Sequence, residues 1–206
     1  QGEIAGGEGD VNVIGEGSIK RSLQEARDDK DVKAIVLRVN SPGGSALTSE
    51  LIWREIEITK KTKPVVVSMG NYAASGGYYI AANADRIFAE PNTITGSIGV
   101  FGMLPNASQL AKNIGINAEQ VKTHANAGGY SVFEPIDENF KGIVLEGIEK
   151  TYNIFLKRVA DGRKMTTEQV NEIAQGRVWT GTDAHRLGLV DEIGGLEDAI
   201  KYAAKL

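Results

Sequence analysis

Apolar residues in this chain switch between runs and helical spacing, and the switches mark out strand–helix pairs. Residues 32–39 form a short run rich in β-branched side chains, with Val32, Ile35, Val36 and Val39, and end in Asn40-Ser41-Pro42-Gly43-Gly44. A run closed by Pro and Gly reads as a buried strand entering a turn. Helical spacing follows over 48–60 through Leu51, Ile52, Ile56 and Thr59. Residues 64–69 repeat the strand signature with Val65, Val66 and Val67, and Gly70 is expected to close it. Residues 73–82 then read as a helix opened by small side chains, 86–89 as a third strand, and 91–99 as a Gly/Thr turn region. Strand, helix, strand, helix, strand predicts βαβ units and a largely parallel sheet with right-handed crossovers.

The flanks are less regular. Residues 1–17 are Gly-rich and acidic and are expected to form a loop. Ser18 is expected to cap a helix over 18–29 that carries Ile19, Leu23 and Ala26. Beyond the core, the pattern predicts a helix over 108–115 and a strand near 118–122, whereas 123–136 shows neither period. A long helix is predicted over 137–161, with Phe140, Val144, Ile148, Tyr152, Phe155 and Val159 on one stripe. Thr166 precedes Gln169 by three residues, the spacing of a capping box for a helix over 166–174. Two more helices are expected at 182–187 and 196–204. The chain thus divides into a core, 1–136, and a helical arm, 137–206, that belongs to the same domain or to an oligomer interface.

Composition narrows the function. A net charge of −4 argues against a nucleic-acid partner, which needs a basic face to neutralise phosphates. The absence of Cys excludes disulfides and thiolate metal sites. No His or carboxylate spacing resembles a metal site, and the Gly-rich turns lack the Lys-Ser/Thr of a phosphate loop, so neither metal nor cofactor is expected. Gly is in excess, 25 of 206 residues, against roughly 7% in average proteins; this suits a site built from main-chain groups. No apolar stretch approaches the ~18 residues of a membrane span. The opening Gln1-Gly2-Glu3-Ile4 reads like the tail of a cut strand, so an excised fragment is expected.

Two segments carry candidate chemistry. Asn40-Ser41-Pro42-Gly43-Gly44 follows a strand and opens a helix, and so does Ala73-Ala74-Ser75-Gly76-Gly77. A serine at a helix start has its hydroxyl near main-chain N–H groups that lack helical partners, with the positive end of the helix behind them. Those are the parts of an oxyanion hole, a nucleophile plus donors aimed at a developing O⁻. Either segment alone is equally compatible with tight helix–strand packing; their pairing on adjacent crossovers favours a site.

Five stretches in this order closely resemble signal peptide peptidase A (protease IV). They are Asn40 to Gly44, Met69-Gly70-Asn71-Tyr72-Ala73-Ala74-Ser75-Gly76-Gly77-Tyr78-Tyr79-Ile80, Thr95-Gly96-Ser97-Ile98-Gly99-Val100-Phe101-Gly102, Gly176-Arg177-Val178-Trp179-Thr180-Gly181 and Gly188-Leu189-Val190-Asp191-Glu192-Ile193-Gly194. The first recurs in Clp proteases and marks the superfamily; the others point to the narrower family. The resemblance implies a crotonase-like (Clp protease-like) βαβ spiral core and peptide-bond hydrolysis with Ser75 as nucleophile. It also implies backbone N–H donors at Gly44 and Gly76, and a lysine base kept neutral by desolvation. By the same likeness the protein would be a membrane-associated bacterial oligomer on the extracytoplasmic side that degrades apolar peptides such as released signal peptides.

The stretch 123–136 departs from that pattern. In the short bacterial forms the lysine falls in the segment corresponding to it, which here holds none; Ala127 or Tyr130 stands about where it would be. Long tandem forms divide the dyad, the amino-terminal half giving the lysine and the carboxy-terminal half the serine. This chain therefore resembles the carboxy-terminal half of a long form, with the amino-terminal half as its partner. Lys122 and Lys141 flank the gap, and His124 and His185 are the alternative bases. A non-catalytic assembly half and a crotonase-type acyl-CoA enzyme are the competing readings.

Overall fold

The computed structural model describes residues 1–124 and 127–206, and it falls into two compact units, Gln1–Gly99 with Asn153–Leu206, and Val100–Tyr152. The expected division at 136/137 falls inside the second.

The first unit opens on a feature the sequence pattern missed. Residues 1–17 are not a loop: β1 (Glu3–Ala5), β2 (Gly9–Asp10) and β3 (Val13–Gly15) form a small sheet in the order β1-β3-β2. These strands are too short to show an alternation, and Gly2 before β1, Gly7 between β1 and β2, and Gly9 at the start of β2 take positive φ. Helix α1 (Glu16–Asp28) comes next, capped at Gly15 rather than Ser18, whose hydroxyl instead donates back to the Gly15 carbonyl. Leu23 is its buried residue.

The main sheet grows from β4 (Ile35–Ser41), β5 (Val65–Ala74), β6 (Arg86–Ala89) and β7 (Ile94–Gly96), with α2 (Ala46–Lys60) and α3 (Gly76–Ala81) as crossovers. β5 pairs in parallel with β4, β6 and β7; its start carries β6 and its end carries β7. Val65, Val66 and Val67 are fully buried, as a strand covered on both faces requires. The sheet is closed by β8 (Val178–Thr180), antiparallel to β7, and β9 (Glu192–Ile193), parallel to β6.

Gly70 does not end β5 as expected. The β4–β5 register steps from Val39↔Met69 to Ser41↔Ala73, so β5 carries extra residues there. The Asn40 side chain fills this bulge: its Oδ1 accepts from the Tyr72 amide at 3.2 Å, and a methyl on Gly70 would lie 2.6 Å from it. Thr93 holds the other side, donating from Oγ1 to the Gly70 carbonyl at 2.8 Å. A bulge bends its strand and re-aims the residues beyond it, here Ala73, Ala74 and then Ser75.

The second unit contains α4 (Ser108–Asn113) and the first part of α5 (Glu138–Arg163). The strand expected near 118–122 is not formed; those residues take neither helix nor strand. The stripe of α5 is real but graded, with Phe155 and Val159 buried and Phe140, Val144, Ile148 and Tyr152 half-buried. In the first unit, the end of α5 is followed by α6 (Thr167–Ile173), α7 (Gly181–Arg186) and α8 (Leu196–Ala203). Thr166 and Gln169 form the reciprocal capping box at α6. No described helix is long and apolar enough to cross a membrane.

Candidate active site

Ser75 occupies the single residue between the end of β5 and the start of α3. Its backbone sits at φ 52° and ψ −120°, a conformation that side-chain-bearing residues rarely adopt. Two bonds hold it there: its N–H donates to the Gly96 carbonyl at 3.0 Å, and its carbonyl accepts from Tyr79 N–H at 2.9 Å. A sharp strand-to-helix turn of this kind lifts a serine hydroxyl clear of the main chain. The Ser75 side chain is half-exposed, and its hydroxyl makes no hydrogen bond among the described residues. Ser97, one residue beyond Gly96, also takes a positive φ, 47°.

The turn after β4 lies directly against this elbow. A methyl on Gly43 would fall 2.7 Å from the Gly76 nitrogen and 2.8 Å from Ser75 Cβ, so only glycine allows the approach. The Gly43 N–H is occupied, donating to Ser41 Oγ at 3.1 Å. Gly44 N–H has no acceptor among the described residues, and it lies 3.3 Å from where a methyl on Gly76 would be. Gly76 is the first residue of α3, so its N–H has no helical acceptor either. The structure thus brings Gly44 beside Ser75 and its neighbour Gly76, from which it is far removed in sequence. Gly44 is exposed and Gly76 buried.

The elbow rests on a fully buried helix. Every residue of α3 is buried, and Tyr78 donates its hydroxyl to the Leu189 carbonyl at 2.8 Å. Tyr79 donates to Glu50 on α2, which also accepts from Arg158 of α5 at 3.2 Å. The Arg158 guanidinium lies 3.9 Å above the Trp53 ring, and Tyr79 packs on Phe155 with ring centroids 4.7 Å apart. Burial raises the pKa of both tyrosines, and the bond to Glu50 raises that of Tyr79 further. Sequence reading missed this cluster because Glu50, Tyr79 and Arg158 share no local pattern.

The histidines considered as alternative bases each have a neighbour of their own. His185 Nδ1 is 3.3 Å from the Val190 carbonyl, and His124 Nδ1 is 3.1 Å from Thr123 Oγ1 within the Val100–Tyr152 unit. Lys122 is exposed in that unit. The segment 123–136 includes Ala125 and Asn126, which lie outside the described residues. Among the described residues no lysine hydrogen-bonds Ser75.

A serine on a strained strand-to-helix elbow beside backbone amides left without helical acceptors is the arrangement of serine hydrolases as a class. The sequence profile of peptidase family S49 matches residues 57–206, and the chain belongs to that family. Ser75 and Gly76 fall inside the match and Gly44 precedes it. Over its whole length the chain is 47% identical to "Protease 4" of Haemophilus influenzae and 44% to "Protease 4" of Salmonella typhi, covering 34% and 33% of those proteins. It is 41% identical over 93% of its length to the chloroplastic "Serine protease SPPA" of Arabidopsis thaliana, covering 28% of it. The chain thus spans about a third of the length of these relatives.

Proposed function

We propose that this chain is the serine-bearing part of a peptidase that cleaves apolar peptides, released signal peptides among them, and that its base is a lysine from an amino-terminal half. Ser75 is the nucleophile and the amides of Gly44 and Gly76 are the oxyanion donors. The observation that carries this reading is the strained Ser75 elbow with the Gly44 turn packed directly against it. A neutral lysine takes the Ser75 Oγ proton as Oγ attacks the peptide carbonyl. The two amides hold the resulting O⁻, and collapse expels the amine, which takes the proton from the lysine. Water then hydrolyses the acyl-enzyme by the same route. Exposed Leu47, Leu51, Tyr72 and Ile94, on the elements that flank the elbow, suit an apolar substrate.

The parallel sheet that changes partners along β5 fits a crotonase-like core, and we assign the chain to that class. We further propose a membrane-associated homo-oligomer facing the extracytoplasmic side, in keeping with the resemblance to signal peptide peptidase A. Cleavage of an apolar peptide ester by the full-length protein tests the central reading. Ser75→Ala is expected to remove turnover while leaving the unfolding midpoint close to wild type; retained turnover would refute it.

A further inference from the structure

Ile4 belongs to β1, well upstream of both candidate donors in sequence, yet it touches the surroundings of each. It is 1% exposed. Its N–H donates to the Gly43 carbonyl at 2.8 Å, and its carbonyl accepts from Ser45 N–H at 2.7 Å. These bonds bracket Gly44, which pairs with Ile4 as an isolated parallel bridge. In a parallel bridge the bracketed residue makes no bond across it, so the Gly44 N–H is left free of Ile4, with its nitrogen 3.3 Å from where a methyl on Gly76 would be. The Ile4 side chain reaches the second donor: a methyl on Gly76 would lie 3.3 Å from Ile4 Cδ1. A methyl on Gly44 would fall 2.1 Å from the Ile4 carbonyl oxygen, so strand and turn are in backbone contact. β1 is itself anchored, by Gly2 N–H to the Asn40 carbonyl at 2.9 Å and by the pairing of Ile4 with Ile14.

We propose that Ile4 is a positioning residue that sets the separation of the two oxyanion donors; this rests on the reading of Gly44 and Gly76 as those donors. The donors come from different crossovers, the turn after β4 and the start of α3. An oxyanion hole works only when both N–H groups reach about 3 Å from one oxygen. Ile4 couples the two, gripping the turn with its backbone and bearing on α3 with its side chain. The amino-terminal sheet is then part of the catalytic apparatus, although it lies outside the residues matched by the family profile.

The test reads binding in the full-length protein, where the base takes the Ser75 Oγ proton as Oγ adds to boron, whichever residue that base is. An apolar peptide boronic acid is titrated into the full-length protein, and the tetrahedral adduct on Ser75 is followed by boron NMR together with the Gly44 and Gly76 amide resonances. Ile4→Ala is expected to weaken the adduct roughly 30-fold and Ile4→Val, which shortens the side chain, roughly threefold, against the 10²–10³ attached to losing a whole donor. Affinity for the matching peptide without the boronic acid, which offers Ser75 no electrophile at that position, should stay within about twofold. Leu23→Ala, buried on α1, should lower the unfolding midpoint and leave the adduct unchanged. Equal weakening by Ile4→Ala and Leu23→Ala, or a parallel loss of affinity for the peptide without the boronic acid, would overturn the positioning role. If Ile4→Ala does not fold, Ile4→Val decides, and an unchanged adduct overturns it. No adduct in wild type, or an adduct that survives Ser75→Ala, overturns the site reading itself and the clamp with it.

Discussion

Ser75 is held at φ 52° by neighbours rather than by its own preference. A non-glycine residue there costs about 1–3 kcal/mol, while glycine adds about 0.5–1 kcal/mol of unfolded-state entropy. Ser75→Gly is therefore expected to be about 1 kcal/mol more stable than Ser75→Ala in urea unfolding, with both inactive. A reversed order would mean that the elbow is unstrained. Gly44 and Gly188 give a second contrast, because both take positive φ but only Gly44 is crowded. Gly188→Ala should cost about 1 kcal/mol and spare turnover, whereas Gly44→Ala should abolish turnover, since its methyl meets the Ile4 carbonyl. The serine and the glycines were legible in sequence because each sits in a local strand–turn–helix signal. Ile4 was not: a three-residue strand has too few positions to display a period, and its importance comes from the turn that folds back onto it.

Long elements were legible where burial imposes a period, and misjudged where a side chain or a missing partner decides. The helix over 138–163 and the capping box at Thr166 followed from spacing alone. β5 outran its expected end because Asn40 fills the bulge at Gly70, a contact no local pattern encodes. The run at 118–122 looks like a strand but finds no neighbour to pair with, and an unpaired strand is not stable in water. Ties between elements are likewise invisible in sequence, and Arg163 is the strongest. It ends α5, donates to both Asp191 carboxylate oxygens at 2.6 and 3.1 Å and to the Gly188 carbonyl at 3.0 Å, and its side chain is 7% exposed. Removing one partner of such a buried pair costs about 3–5 kcal/mol, and removing one of an exposed pair about 0–1 kcal/mol. Urea unfolding should therefore separate Arg163→Ala clearly from Arg21→Ala, whose partner Glu8 is exposed; equal losses would show that the Asp191 pair holds nothing. Tyr78 and Tyr79 anchor α3 in the same way and make its stability pH-dependent. Their phenols are raised above the ordinary 10.0 by burial, so the fold retains protons that the unfolded chain releases. Stability is full below about pH 10 and falls as pH rises beyond it. Urea midpoints from about pH 8 to about pH 11 should show this alkaline decline, and it should flatten in Tyr78→Phe.

Among the described residues no candidate base is hydrogen-bonded to Ser75. Lys60 and Lys63 sit before the start of β5, at the other end of the strand from Ser75, and have partners of their own: Lys60 binds the Asn83 carbonyl and pairs with Asp85 at 3.4 Å, and Lys63 donates to the carbonyls of Ala26 and Asp29. The hydroxyl of Ser75 has no partner among the described residues, and a serine without a base is a weak nucleophile at neutral pH. The chain spans 34% of the Haemophilus relative, which leaves ample sequence in that protein for a second contribution. We therefore predict that the 206-residue chain alone hydrolyses an apolar peptide ester roughly 10⁴-fold or more below the full-length protein, the scale on which loss of a triad member acts. Mixing in a lysine-bearing amino-terminal half should restore turnover, and Ser75→Ala in the mixture should remove it again. His124→Ala and His185→Ala should leave the restored activity unchanged, because each histidine is engaged with its own neighbour. The informative control is Lys122→Ala in the chain alone. Robust turnover that disappears with Lys122 would place the base inside this chain and overturn the divided dyad. A chain that is inert with or without Lys122, and active only in the mixture, is the outcome expected from the free Ser75 hydroxyl.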